Sequence, residues 1–306
     1  MILQAKDLKL VATLEKDGRA SFAQLSRLLG VSISTVAKKT RQLLEEGVVE
    51  IKAVTNPHRL GLNAHAMIAI RTSPQALDKV SAKLVEHPNT ELVANIFSRF
   101  NILVSAQFET WDDLHEFVSS ELSIIHEILD MEIYFCKENK KRYFDVPFAP
   151  SENSPLKIDE IDRQIINVLC VNGRYSVSNL ANTLGLSIST ASKRLSRLYD
   201  ENAIQVRGHV NQTKIGNHAT AFFMIKADHD EIERICDSIV TYPEISTVIT
   251  LVNKYDILVG GVCRDSDALY DLVNIRIASI PGVRDIETWP RGKIFKRHYG
   301  LLPVRQ

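Results

Sequence analysis

Two short stretches of the sequence combine hydroxyl, amide and cationic side chains at the spacing of a helix face. They lie 155 residues apart, and each follows a glycine (Gly30 or Gly185) and then a serine of the kind that begins helices. The side chains are Ser32, Ser34, Thr35, Lys38, Lys39 and Gln42 in the first stretch, and Ser187, Ser189, Thr190, Lys193, Arg194 and Arg197 in the second. Hydroxyls at a helix N-terminus suit phosphate, whereas Lys, Arg and Gln suit phosphate or base edges. Both stretches therefore predict helices that contact double-stranded DNA.

The apolar residues of the two stretches fall on the opposite face and are expected to bury. They are Val36, Leu43 and Leu44, with Ala191, Leu195 and Leu198 as counterparts. An ordinary solvated helix face is the alternative explanation of the polar stripe, but both stretches keep the Ser-x-Ser-Thr opening and a cation at the same place. Arg194 and Arg197 offer rigid forks for base edges, so we expect the second helix to read bases better than the first.

The sequence offers little for catalysis. The histidines are scattered without an H-x-x-x-H pair, and there is neither a glycine-rich phosphate loop nor a G-x-S-x-G motif. Cys136, Cys170, Cys236 and Cys263 form no C-x-x-C pair and stand among apolar residues, which indicates buried core thiols. We therefore predict no catalytic residues, no metal site and no cofactor.

Overall charge excludes no partner, because 37 Lys and Arg balance 37 Asp and Glu. Its distribution is informative: residues 1–56 carry nine basic and six acidic side chains, and residues 157–212 carry seven and five, whereas residues 60–150 carry eight and thirteen. The basic segments contain the two polar stretches, which fits nucleic acid. No apolar run approaches the roughly 18 residues of a membrane span, so we expect a cytoplasmic protein without a membrane partner.

The elements around each polar stretch repeat in the same order. A helix is predicted at residues 5–14 and 159–169, a second at 22–29 and 177–184, then the polar helix, then a wing or hinge strand at 48–54 and 203–210. Two short helices joined by a glycine turn, the second of them polar, are typical of a helix-turn-helix.

Downstream, the hydrophobic period predicts β-α-β-β-α-β in each half, a ferredoxin-like arrangement. The predicted segments are 65–71, 74–85, 91–97, 101–108, 111–122 and 128–136, then 220–226, 230–240, 246–252, 256–263, 266–277 and 283–289. Between the halves, Pro147, Pro150 and Pro155 interleave with Ser and Asn, a linker composition. The fold class is therefore α+β with two repeats.

With these elements in place, the chain resembles a tandem fusion of two Lrp/AsnC (feast/famine) transcription regulators. The motifs are Asp17-Gly18-Arg19, Leu29-Gly30-Val31-Ser32 and Asn56-Pro57 in the first half, and Asn172-Gly173-Arg174, Leu184-Gly185-Leu186-Ser187 and Pro281-Gly282-Val283 in the second. The resemblance implies winged helix-turn-helix domains at residues 1–56 and 157–212. It implies ferredoxin-like ligand-binding domains at 60–146 and 213–306, and a linker at 147–156.

The resemblance also implies a small-molecule effector, amino-acid-like, and assembly as a homo-oligomer through the ferredoxin-like domains. In the family, a turn between the second and third strands of the ligand-binding domain helps to form the effector pocket. Here those turns read Ser98-Arg99-Phe100-Asn101 and Asn253-Lys254-Tyr255-Asp256, without the family's usual glycine. Asp256 can accept from an ammonium group, which predicts that an effector binds mainly in the second half. The sequence leaves open whether the halves pair within one chain or between chains.

Two other classes of function stay open. The sirohaem decarboxylases share this layout in paired or fused form and bind tetrapyrroles, although the acidic balance of residues 60–150 argues against that reading. A storage or scaffold protein with idle helix-turn-helices is the third possibility, and it predicts no salt-sensitive binding to DNA.

Overall fold

The computed structural model describes residues 4–141 and 154–297. The chain forms two compact units, and each unit draws segments from both halves of the sequence. Met1–Leu60 and Pro150–Gly216 make one, here called the winged-helix unit; Gly61–Ala149 and Asn217–Gln306 make the other, the barrel unit. The predicted linker lies largely outside the described residues.

The winged-helix unit contains two sets of three helices and a strand. They are α1 (Ala5–Lys16), α2 (Phe22–Leu29), α3 (Ile33–Glu45) and β1 (Val49–Thr55), then α6 (Glu160–Val171), α7 (Val177–Leu184), α8 (Ile188–Asp200) and β6 (Ile204–Val210). Each set buries apolar side chains that recur at helical spacing: Leu10, Leu14, Leu25, Val36 and Leu43 in the first, and Ile165, Leu169, Leu180, Leu195 and Leu198 in the second.

The predicted wing strands pair with each other. β1 and β6 run antiparallel, from Val49 opposite Val210 to Thr55 opposite Ile204. The contacts beside this two-stranded sheet are reciprocal: the N–H of Gly18 donates to the Val206 carbonyl (3.0 Å), and the N–H of Gly173 donates to the Ile51 carbonyl (2.8 Å). The two sets are therefore joined about an approximate two-fold axis within one chain.

The barrel unit contains the predicted β-α-β-β-α-β order in both halves. The first half supplies β2 (Ala64–Thr72), α4 (Leu77–Glu86), β3 (Thr90–Ile96), β4 (Ile102–Phe108), α5 (Trp111–Glu116) and β5 (Ile128–Lys141). The second supplies β7 (Ala219–Ala227), α9 (Ile232–Ile239), β8 (Ile245–Val252), β9 (Ile257–Cys263), α10 (Ser266–Tyr270) and β10 (Val283–Arg297). α5 and α10 continue as π-helical turns over Phe117–Leu122 and Asp271–Ile277.

The eight strands close into one barrel. Their order is β10-β3-β4-β2-β5-β8-β9-β7, and the halves meet where β5 pairs with β8 and β10 pairs with β3. Large side chains such as Phe100, Tyr134 and Trp289 fill the interior, while the helices pack on the outside. Closure removes free strand edges from the described sheet. The ferredoxin-like domains of the two halves therefore pair with each other within one chain.

Candidate nucleic-acid interface

Both polar helices begin with the serine cap that the sequence predicts. Ser32 Oγ accepts a hydrogen bond from the N–H of Thr35 (3.1 Å), and Ser187 Oγ accepts one from the N–H of Thr190 (3.0 Å). The preceding helices α2 and α7 end at Gly30 and Gly185, whose φ values of 61° and 65° are left-handed. The same local rules thus start α3 and α8 at corresponding positions.

The opening turns of α3 and α8 present hydroxyls and one lysine each to solvent. Ser34, Thr35 and Lys38 are exposed on α3, and Ser189, Thr190 and Lys193 are their exposed counterparts on α8. Gln42 is exposed as well, although its side chain donates to Glu46 (2.8 Å). Val36, Leu43, Ala191, Leu195 and Leu198 are buried as predicted, and Leu44 is half-buried.

Three of the predicted DNA-contacting cations are instead held by acidic residues of the same unit. Lys39 Nζ pairs with Asp7 on α1. On α8, Arg194 pairs with Asp159 (2.7 Å) and Asp162 (3.0 Å), and Arg197 also pairs with Asp162. In this structure the guanidinium groups of Arg194 and Arg197, which were expected to read bases, fasten α8 to the start of α6.

Burial of the acids explains this arrangement. The Asp162 side chain is 0% exposed and that of Asp7 is 6% exposed, and an unpaired buried carboxylate is strongly destabilising. The hydrogen bond from Arg194 lowers the pKa of Asp159 to about 2, assisted by the N–H of Asp162. Sequence spacing does not reveal these pairs, because the partners lie 32 and 35 residues apart.

One exposed cation of α3 is missing from the predicted set. Arg41 follows Lys38 by three residues, is exposed, and has no ion pair among residues 4–141 and 154–297. The i, i+3 spacing that grouped Thr35 with Lys38 also includes Arg41, so the signal was present. The corresponding position of α8 is Ser196. The open face of α3 is therefore more cationic than that of α8.

The two predicted effector turns are largely committed to internal contacts. Phe100 and Tyr255, 0% and 2% exposed, point into the barrel. Asn101 Oδ1 accepts from the N–H of Thr72 (2.9 Å), and Asp256 Oδ2 accepts from the N–H of Ala227 (2.9 Å). Asp256, predicted to accept from the ammonium group of an effector, thus accepts in this structure from a backbone N–H at the end of β7.

The two cations of these turns lie at the surface. Arg99 is exposed, pairs with Glu132 (2.5 Å) and lies over the Phe100 ring (4.5 Å to the centroid), while Lys254 lies over the Tyr255 ring (4.9 Å). Asn253 has a φ of 153°, and Ser98 is half-buried with its Oγ 3.1 Å from the Phe100 carbonyl. Each turn thus has a cation at the surface that lies over a buried aromatic ring, Phe100 or Tyr255.

A metal-ligand cluster and a membrane-spanning helix are both absent from the described residues. Those residues contain no group of three or more His, Cys, Asp or Glu side chains suited to a metal ion, and no helix among them is long and apolar enough to cross a bilayer. All four cysteines are free and buried, and burial raises the pKa of Cys170 and Cys236 to about 12 and of Cys263 to about 11. The predicted buried core thiols are confirmed.

Comparisons with known proteins identify both kinds of domain in the chain. Residues 158–199 match the AsnC-type helix-turn-helix domain, residues 220–301 match the Lrp/AsnC ligand binding domain, and residues 3–50 match a winged helix-turn-helix DNA-binding domain. HTH-type transcriptional regulator FL11 of Pyrococcus furiosus is 30% identical over 124 residues, which are 40% of this chain and 82% of the relative. The chain belongs to the Lrp/AsnC family. FL11 of Pyrococcus abyssi is also 30% identical, over 44% of this chain and 88% of that protein.

Two solved structures of one protein cover nearly the whole of this chain. The sirohaem decarboxylase NirDL superposes with a TM-score of 0.69 over 98% of this chain and 94% of that chain, at 14% identity. Its complex with an iron-uroporphyrin III analogue gives a TM-score of 0.66 at 15% identity. At 14–15% identity, the likeness shows a shared fold alone.

Proposed function

We propose that this Lrp/AsnC family member is a sequence-specific DNA-binding regulator, built as a tandem duplication, in which one polypeptide supplies both reading helices. The observation that carries the proposal is the pair of serine-capped helices α3 and α8, each exposing hydroxyls and a lysine. They belong to one unit joined through β1 and β6, as a dyad-related DNA target requires. The proposal includes no catalytic step.

The contacts assigned to DNA follow from exposure. Ser32, Ser34, Thr35 and Lys38 on α3, and Ser187, Ser189, Thr190 and Lys193 on α8, are the phosphate-facing groups, with Arg41 and Gln42 turned toward bases. Lys39, Arg194 and Arg197 act indirectly by fixing each helix against the first helix of its set.

Salt dependence tests DNA as the partner. Operator DNA would be selected from a random pool and bound to the full chain, with affinity measured by fluorescence anisotropy. With about 6–10 phosphate contacts, affinity should fall by a factor of about 10³–10⁵ between about 50 and 200 mM salt. Lys38→Ala and Lys193→Ala should each lower the slope of log affinity against log salt by about 1.

Lys16→Ala is the matched control, because Lys16 is exposed on α1, outside the reading helices. It should leave the slope within error of the wild-type value. Binding that does not change with salt, or equal effects of all three substitutions, would contradict the proposed interface.

We further propose a small-molecule effector for the barrel unit, amino-acid-like in chemistry. The match of residues 220–301 to the Lrp/AsnC ligand binding domain supports it. Lys254, exposed and without an ion pair among the described residues, offers positive charge for a carboxylate. Arg99, paired with Glu132, offers it on exchanging that partner, and Ser98, Asn253, Asn101 and Asp256 belong to the same turns. Calorimetric titration of the full chain with a panel of amino acids tests this site, and Arg99→Gln and Lys254→Gln should weaken binding there.

A sirohaem decarboxylase-like activity is the alternative, and its support is the TM-score of 0.69 over nearly the whole chain. Titration with an iron porphyrin separates the two proposals. A shifted Soret band that saturates at one equivalent per chain, without salt-sensitive DNA binding, would favour the tetrapyrrole function. An unshifted band together with salt-sensitive DNA binding supports the regulator.

A further inference from the structure

A cavity of about 280 Å³ lies in the first half of the barrel unit, between α4 and the π-helical turn that follows α5. Its lining includes no residue of the turns at 98–101 and 253–256. The lining residues are Lys83, Leu84, His87, Phe117, Glu121, Leu122, Ile124 and Ile125. Its volume is just below the roughly 300–1,000 Å³ typical of small-molecule pockets, so only a small ligand fits.

The floor of the cavity is apolar and aromatic. Leu84, Phe117, Leu122 and Ile125 are buried, and the His87 ring lies 4.5 Å from the Phe117 ring, centroid to centroid. Ile124, 67% exposed, adds an aliphatic side chain to the lining. This floor favours an apolar group on the ligand.

Opposite charges flank the apolar floor. Lys83 is exposed on α4 and has no ion pair among the described residues. Glu121, on the π-helical turn, also lines the cavity, and its carboxylate lies 3.3 Å from His87 Nε2. Burial, the largest influence, and the charge of Lys296 outweigh Glu121 and lower the pKa of His87. The lowered pKa favours the uncharged imidazole at neutral pH.

The second half has the same backbone features but different side chains at this place. Tyr242 stands at the position of His87 and Arg276 at that of Glu121. The Arg276 guanidinium lies 4.2 Å from the Tyr242 ring centroid and donates to Glu244 (2.8 Å). Arg276 and Tyr242 therefore contact each other at the position that corresponds to the cavity of the first half. Because both halves contain the π-helical turn, irregular backbone alone does not account for the cavity of the first half.

We propose that this cavity binds a small zwitterion with an apolar side chain, the class that includes apolar α-amino acids. Lys83 pairs with the ligand carboxylate, Glu121 pairs with its ammonium group, and the apolar side chain packs on Phe117 and Ile125. Charge-assisted hydrogen bonds of both signs select the zwitterion over molecules that carry one charge. The site goes beyond the DNA-binding function and does not depend on it.

Calorimetry on the full chain tests the charge requirement with three probes that share one ring. L-phenylalanine carries both charges, 3-phenylpropionate lacks the ammonium group, and phenethylamine lacks the carboxylate. L-phenylalanine should bind saturably, and each singly charged probe should bind about tenfold or more weakly, the loss expected for one charge-assisted hydrogen bond. Equal binding of all three, or none by L-phenylalanine at millimolar concentration, would overturn the proposal.

Matched variants locate the site. Lys83→Met and Glu121→Gln should each weaken L-phenylalanine about tenfold, whereas Lys79→Met and Glu86→Gln, also exposed on α4 but outside the lining, should not. The double variant His87→Tyr with Glu121→Arg introduces the residues of the second half and should abolish binding. Circular dichroism reports whether each variant is folded. Unchanged affinity in folded Lys83→Met and Glu121→Gln proteins would place the ligand elsewhere and sink the idea, and this outcome is independent of DNA binding.

Discussion

At the residue scale, charge pairing decides which cations of the reading helices are available. Asp7 on α1 and Asp162 on α6 occupy corresponding positions and are both buried. Each needs a counter-charge, and the nearest cations come from α3 and α8. Lys39, Arg194 and Arg197 therefore stabilise the three-helix sets, while Lys38, Arg41 and Lys193 stay exposed.

The Asp159–Arg194 pair gives a pH dependence with a definite sign. The pKa of Asp159 is about 2 in the folded protein because of the Arg194 hydrogen bond, against about 3.9 in an unfolded chain. A lowered folded pKa contributes stability that is present above the unfolded pKa and lost as pH falls through the folded value. Between about pH 4 and pH 2, the wild-type free energy of unfolding should therefore fall more steeply than that of Arg194→Ala.

Urea titrations at half-unit pH steps measure this difference. Lys193→Ala is the control, since Lys193 is exposed on the same helix and has no ion pair in the described part of the chain. Its pH profile should run parallel to the wild-type profile. Parallel profiles for the wild type and Arg194→Ala would show that the pair does not perturb Asp159.

At the element scale, locally encoded features were predictable and long-range ones were not. The predicted segments 22–29 and 177–184 coincide with α2 and α7, because a serine cap and a glycine end mark each boundary. β5 and β10 continue past their predicted ends at 136 and 289 to Lys141 and Arg297. Those extensions pair with β8 and β3 of the other half, and the sequence near them carries no sign of so distant a partner.

The candidate interface follows the same division. Helix periodicity identified the exposed Ser34, Thr35 and Lys38 and their counterparts. It did not distinguish the outward Lys38 from the neighbouring Lys39, whose partner lies on another helix. Nor did it reveal that Asp256 binds the backbone of β7, a contact across 29 residues.

The joint between β1 and β6 depends on close packing at Gly173. A Cβ added there would lie 2.7 Å from Val206 Cγ1 and 3.0 Å from the Lys52 backbone, although Gly173 does not have a positive φ. Gly173→Ala should therefore lower the free energy of unfolding by about 1–3 kcal/mol through overpacking. Val171→Ala, at a position 75% exposed, should change it by less than about 0.5 kcal/mol. Urea denaturation compares the two variants. If both change the free energy of unfolding by less than about 0.5 kcal/mol, the backbone at Gly173 accommodates a Cβ and the close-packing argument is wrong.

At the scale of the whole molecule, the two halves of one chain pair with each other in both units. One polypeptide provides both wing strands and all eight strands of the barrel. The two halves of a homodimer must be identical, whereas the halves of this chain are free to differ. On the reading helices, Arg41 of the first half corresponds to Ser196 of the second. In the outer layer of the barrel, His87 and Glu121 correspond to Tyr242 and Arg276.

This freedom predicts unequal reading of the two operator half-sites. α3 exposes Lys38 and Arg41, whereas α8 exposes Lys193 and Ser196, so the half-site under α3 should show the stronger base preference. Arg41→Ala should relax that preference by about 1–3 kcal/mol at one base pair, with little change at the other half-site. Ser196→Arg should create a comparable preference under α8, because the substitution gives α8 the cation of α3.

A panel of single-base operator variants, titrated against both proteins and against Lys38→Ala, measures these effects. Lys38→Ala should weaken all operators about equally, since a phosphate contact carries no base identity. If Arg41→Ala behaves like Lys38→Ala and Ser196→Arg leaves every base preference unchanged, residues 41 and 196 do not face bases and the unequal-reading model fails.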